Sequence, residues 1–203
     1  MNPRIQISVL LLAISCFLAF FTGRENTRFR VNPQYLADWA TMDTSAFTVD
    51  EVVRFLNEET PGITLIDVRE QENFRECSLP GAINIPLRKL TSSEFKDLMG
   101  RRSGRNIFYS NGDDFSAAAL TIAAGMGYRN CYRMTGGINA WFETVMNASF
   151  SGERISAREN ALLTSRFEAK RLFTRYNSLP DSLKPQIFAA RQLERKKLDG
   201  GCE

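Results

Sequence analysis

The chain has 203 residues, of which 43% are hydrophobic and 24% charged, with a net charge of +3; that balance suits one globular domain with attachments. It contains no histidine, which removes Ser-His and Cys-His catalysis, histidine-ligated metals and a histidine-based pH switch. Residues 151–203 hold 11 Lys and Arg against 7 Asp and Glu, residues 1–150 hold 15 against 16, and no stripe interleaves aromatic with basic side chains, so nucleic acid is not an expected partner.

Residues 1–4 form a short tail. Ile5 to Phe21 carries no charge and only Gln6, Ser8 and Ser15 as polar interruptions. At about 1.5 Å per residue such a run just crosses a hydrocarbon core of ~30 Å, so residues 5–22 are expected to be a single-span membrane anchor. A cleaved signal peptide would have a shorter apolar core ending at small residues. Ala13 to Cys16 loosely fits a lipidation site, but the mature chain would then begin on Phe17-Leu18-Ala19-Phe20-Phe21. Arg4 precedes the run and Arg24, Arg28 and Arg30 follow it; this bias places the soluble part on the cytoplasmic side as an expectation. Residues 23–45 read as a polar connector.

Thr48 and Glu51 have the spacing of a capping box that opens a helix to about Asn57. Pro61-Gly62 turns the chain into a buried strand, Ile63 to Asp67, followed by a short helix near Gln71–Arg75. Leu79 to Pro86 is a turn and second strand, and Ala46–Phe47 is a candidate first strand. A second capping-box spacing, Thr91 to Glu94, predicts a helix to about Met99. Asn106 to Ser110 is a third strand, then a tight loop at Asn111-Gly112, then a helix of small residues over 115–127 with Asp113 and Asp114 as its caps. A loop between a strand end and a helix start gathers backbone N–H groups and is a natural anion cradle. Arg129 to Arg133 is a further strand. Gly136 and Gly137 suit a turn with positive φ, and Trp141 reads as core. Strands alternating with helices imply an α/β domain over 46–147, with a parallel sheet covered on both faces. Residues 148–203 read as a helical extension, with one helix over 155–176 and another over 186–197. The first has a basic face of Arg158, Arg166, Lys170, Arg171 and Arg175. The four cysteines, Cys16, Cys77, Cys131 and Cys202, show no paired spacing and are read as free thiols.

Leu65-Ile66-Asp67-Val68-Arg69, Leu79-Pro80-Gly81-Ala82-Ile83-Asn84-Ile85-Pro86 and Gly136-Gly137-Ile138 with Trp141, in this order, resemble the signatures of the rhodanese (sulfurtransferase) family. The resemblance implies a rhodanese-like fold; read as residues, Asp67 and Arg69 are expected either to pair or to cap loops at the C-terminal edge of the sheet. It also implies that the loop after Tyr109 is the active-site loop, where the family carries a cysteine nucleophile. Ser110 stands there, and Asn111, Gly112, Asp113, Asp114, Phe115 and Ser116 complete a loop with two acids where the family has a basic residue. A hydroxyl carries no persulfide, and two carboxylates repel an anionic sulfur donor. The expectation is a membrane-anchored, catalytically inactive rhodanese-like domain, without cofactor or metal, that serves as a protein-interaction or accessory subunit of a membrane complex. The alternative is a sulfurtransferase or phosphatase-like enzyme that uses Cys77 as a relocated thiol.

Overall fold

The computed structural model describes residues 45–100, 104–149 and 156–187, together with residue 6 and residues 12–15. The expected membrane span, the connector up to residue 44, Cys16 and the helix expected beyond residue 187 therefore lie outside the described residues, apart from those isolated N-terminal positions. Among the described residues no helix is long and apolar enough to cross a membrane.

The strands are β1 (Ala46–Phe47), β2 (Ile63–Asp67), β3 (Ile83–Asn84), β4 (Arg105–Tyr109) and β5 (Cys131–Met134), with helices α1 (Val49–Glu58), α2 (Gln71–Glu76), α3 (Lys96–Met99), α4 (Asp113–Gly125), α5 (Gly137–Trp141) and α6 (Ala157–Asn177). The strands form one sheet in the order β1-β5-β4-β2-β3. Every pairing is parallel, with Leu65 opposite Ile107 and Asp67 opposite Tyr109. Parallel strands need crossovers and bury both faces, and the two-residue alternation sorts their side chains accordingly. Leu65, Ile107, Tyr109 and Met134 face a core shared with α1, α5 and α6. Ile66, Phe108 and Cys131 face the opposite core, shared with α4 and the 85–99 segment. Burial pushes the Cys131 thiol up to about 12.

Local chemistry explains the two long capped helices. The Thr48 hydroxyl accepts from Glu51 N, while the Glu51 carboxylate accepts from Thr48 N at 2.8 Å. Val49, Val52, Val53 and Leu56 then repeat at helical spacing and are buried. The same reciprocal cap, Ser156 with Glu159, starts α6. In α4 the inward positions are Ser116, Ala119, Leu120, Ala123 and Ala124, small enough to let the helix lie close to the sheet.

The second expected capping box does not form. Thr91 caps nothing; a 3-10 turn runs over Ser93–Phe95 and α3 is one turn long, with no side-chain cap on either. A cap contributes about 1 kcal/mol. Burying Leu90 and Met99, each 1% exposed, contributes about 1.5–3 kcal/mol per side chain, and the chain takes the path that buries them.

The basic face predicted for α6 is partly turned onto the domain. Arg166 makes a two-pronged pair with Asp50, at 2.7 and 2.6 Å, and Lys170 Nζ donates to Met146 O. Asn57 Nδ2 donates to Ser165 O at 2.8 Å. Only the C-terminal half of α6 is core: Ala169, Leu172, Phe173 and Tyr176 are buried, whereas Leu162 is exposed. Phe173 packs on Trp141, with ring centroids 5.8 Å apart. The substitution Phe173→Ala should cost roughly 3–5 kcal/mol in denaturant unfolding, whereas Leu162→Ala should stay within about 0.5 kcal/mol.

Candidate functional site

The site lies at the C-terminal ends of the parallel strands, where open α/β sheets place their ligand crevices. β2 ends on Asp67 and β4 on Tyr109, which are register partners. Asp67 and Arg69 are both buried. Arg69 Nη2 lies 2.7 Å from Asp67 Oδ2 and Arg69 Nε 3.0 Å from Asp67 Oδ1. The guanidinium has two further partners, donating to Cys77 O at 2.7 Å and to Asn111 Oδ1 at 3.2 Å. Burial alone would lower its pKa, but the hydrogen bonds and charge of Asp67 outweigh burial and the pKa is raised. One arginine thus ties the end of β2 to the loop after α2 and to the loop after β4. The Tyr109 hydroxyl accepts from Leu79 N at 3.1 Å, and burial foremost, then the Asp67 charge, raises its pKa well above the ordinary range.

Ser110 follows Tyr109 and is 1% exposed. Its hydroxyl donates to Gly112 O at 2.6 Å. The Ser116 hydroxyl turns back on the first turn of its own helix, its one proton shared between Asp113 O at 2.9 Å and Gly112 O at 3.3 Å. The Gly112 carbonyl is thus an acceptor for both loop hydroxyls. The outer carbonyls of the loop are held by α5: Ile138 N donates to Ser110 O at 2.8 Å and Asn139 N to Asn111 O at 3.1 Å.

Asp113 and Asp114 occupy the first turn of α4, and the cap position is Gly112, which makes no side-chain cap. The expected capping role of the two acids is thus not what the structure has. Asp113 instead clamps the loop to the β5–α5 turn, its Oδ1 accepting from Arg133 Nη1 at 2.6 Å and from Gly136 N at 3.0 Å. A side chain in the first turn points toward the neighbouring turn as readily as to its own free N–H groups, and here an arginine and a peptide N–H lie there. Asp114 is exposed and Phe115 is 61% exposed.

Gly136 and Gly137 have φ of 70° and 58°. A Cβ on Gly137 would overlap Ser110 O, so glycine is required there both for backbone conformation and for the close approach. Trp141 is fully buried.

Beside the loop is a groove of about 530 Å³. Its apolar wall is Val68, Leu87, Phe115 and Ile122, and its polar wall includes Arg69, Asn73 and Asn111. Its rim carries an exposed pair, Arg88 Nη2 to Glu70 Oε2 at 2.8 Å. The charges at the groove are thus already matched by protein partners.

Cys77 is half-buried. It packs against the α1–α5–α6 core, and its carbonyl, rather than its thiol, bonds Arg69. Among the described residues no three of Cys, Asp and Glu converge as a metal-binding group.

Two contacts at the site were not evident in the sequence. The Asn177 side chain, at the end of α6, accepts from Ser78 N and donates to Ser78 O, both at 3.0 Å; Arg133 is the partner of Asp113. Both depend on residues far apart in sequence, and no local pattern marks either.

The site predicts a difference between two glycines. Gly137→Ala should destabilise the domain by roughly 1–3 kcal/mol through strain and overlap. Gly112→Ala, with nothing within 4 Å of its Cβ position, should change stability by about 0.5 kcal/mol or less. Thermal or denaturant unfolding of the two variants checks this.

Residues 48–144 match the family model of the rhodanese-like domain. A thiosulfate:glutathione sulfurtransferase of Saccharomyces cerevisiae is 26% identical over 106 residues, covering 47% of this chain and 76% of that protein. A single-domain sulfurtransferase structure from the same yeast is 24% identical, covering 51% of this chain and 92% of its own, with a TM-score of 0.43. A rhodanese-related protein from Thermoplasma volcanium is 23% identical, covering 48% and 90%, with a TM-score of 0.41. With the match over 48–144, the signature residues Asp67, Arg69, Gly136 and Gly137 in place, and the five-stranded parallel sheet that carries them, this part of the chain is a rhodanese-like domain.

Proposed function

We propose that the chain is a catalytically inactive rhodanese-like module, held at a membrane by residues 5–22 and acting as an interaction or accessory subunit of a membrane complex. The observation that carries this reading is Ser110. It stands where the family resemblance puts the sulfur nucleophile, it is buried, and its hydroxyl donates to Gly112 O. Sulfur transfer needs a thiolate to carry the persulfide and N–H donors to hold the anion. An alcohol needs a general base to become a nucleophile. The chain has no histidine, and Asp113, the acid nearest in sequence with an assigned partner, is held by Arg133 and Gly136 N.

The anchoring part of the proposal is supported by the uncharged run Ile5 to Phe21, and the arginines that follow it favour a cytoplasmic domain. The binding part is supported by the groove at Phe115, whose charges are internally paired and one of whose walls is apolar. Such a groove suits an uncharged contact better than an anionic substrate.

The decisive experiment is a sulfurtransferase assay on the full chain in mild detergent, with thiosulfate as donor and cyanide or glutathione as acceptor. The expected outcome is no turnover above the uncatalysed reaction. Turnover that disappears in Cys77→Ser would refute inactivity and establish the relocated thiol. Ser110→Cys should fold and still give no activity, because Gly112 O faces the new sulfur; recovered activity would show that the loop geometry is competent and the serine alone is limiting. Deleting residues 1–22 should release the chain from alkaline-washed membranes into the soluble fraction.

A further inference from the structure

A second concavity, of about 550 Å³, lies away from the Ser110 loop, between α2, the Gly81–Asn84 edge of the sheet and the segment that follows α6. Its walls combine an apolar surface with an unbalanced set of charges. Phe74, Ala82 and Pro185 supply the apolar part. Arg75, Lys184 and Asp181 supply the charges, two cations against one carboxylate.

Lys184 is the unusual member. It is 8% exposed, and lysine is almost never that buried unless paired. Its Nζ donates to Asp181 Oδ1 at 2.7 Å and sits 5.4 Å from the centroid of the Tyr176 ring. An ammonium carries three donors, and among the described residues one hydrogen bond is made. Its carboxylate partner is the exposed one of the two, with 70% of the Asp181 side chain in solvent. Arg75 makes no ion pair among the described residues, yet its charge reaches the same place. The Asp181 carboxyl is held below its ordinary value first by the Lys184 hydrogen bond, then by the Lys184 charge, and also by Arg75. Asn84, on the floor, is fixed from behind, its amide nitrogen donating to Asp67 O and Arg69 O. The cleft thus has a hydrogen-bonded Asn84, an apolar side, a nearly buried ammonium with donors to spare and, among the described residues, a guanidinium without an ion pair.

We propose that this cleft binds a small organic carboxylate with an apolar body, its carboxylate between Lys184 and Arg75 and its body on Phe74, Ala82 and Pro185. A neutral ligand would leave the excess positive charge unmatched, and a free inorganic anion would leave the apolar wall wet. A charge-assisted contact of this kind fixes orientation, while the apolar wall supplies most of the affinity.

The test uses the full chain in mild detergent, titrated with benzoate, hexanoate and indole-3-acetate, and with their neutral amides, by calorimetry and thermal melting. Each carboxylate that fits should raise the melting temperature, and its amide should bind at least about tenfold more weakly. Arg75→Gln, an exposed substitution that leaves the fold intact, should weaken carboxylate binding roughly five- to tenfold; Phe115→Ala, in the other groove, should leave it unchanged. Lys184→Met should abolish the preference for carboxylate over amide, with its own melting curve reporting whether the variant is folded. Equal binding of acids and amides, no binding by any of the three acids, or binding indifferent to Arg75→Gln would each overturn the assignment.

Discussion

The Asp67–Arg69 pair is the interaction on which the rim of the domain depends. Both groups are buried, and a buried ion pair of this kind is not a simple gain in stability, because desolvation offsets much of the attraction. Its value here is positional. Arg69 has donors left after binding Asp67, and they reach Cys77 O and Asn111 Oδ1. Asp67 fixes the guanidinium, and the guanidinium then sets the spacing of two loops that share no strand. Removing either charge would strand the other in the interior, at a cost of roughly 3–5 kcal/mol, and would also release both loops. Lysine would not replace this arginine, since a single ammonium lacks the planar fork that spans three partners.

The loop that Arg69 touches is held from the opposite side as well. Asp113 binds Arg133 and Gly136 N, and the N-terminus of α5 binds the Ser110 and Asn111 carbonyls. The loop is therefore tied at both ends, and its own hydroxyls satisfy carbonyls within it. The hydroxyl of residue 110 is thereby committed to a carbonyl within its own loop.

Much of this was legible in the sequence because its causes are local. The Thr48–Glu51 cap, the parallel α/β order, the positive φ of Gly136 and Gly137 and the burial of Trp141 each follow from residues within a few positions of one another, or from a signature the chain retains. The Thr91–Glu94 spacing looked equally good and failed, since a cap is a weak local preference and the burial of Leu90 and Met99 is stronger. Asp113 misled for a related reason. An acid at a helix start is favoured by the dipole, and the sequence gives no sign that an arginine twenty positions away will arrive within 2.6 Å of it. The α6 helix was visible as a helix, but the docking of Arg166 on Asp50 spans 116 positions and has no sequence signature.

That docking changes what the C-terminal segment is. A helix that contributes Phe173 and Tyr176 to the same core as β4, and whose last residue grips the backbone of Ser78, is part of the domain's folding unit. Ser78 follows Cys77, whose carbonyl is bound to Arg69, so α6 also fixes one wall of the rim that Arg69 organises. The segment after α6 then turns back over α2 and places Lys184 against Tyr176. The helix therefore does two things at once: it braces the Ser110 side of the domain through Asn177, and it brings one wall of a second cleft up to α2. The same helix thus couples the rim that Arg69 organises to the cleft at Lys184, since both rest on residues within or just after α6.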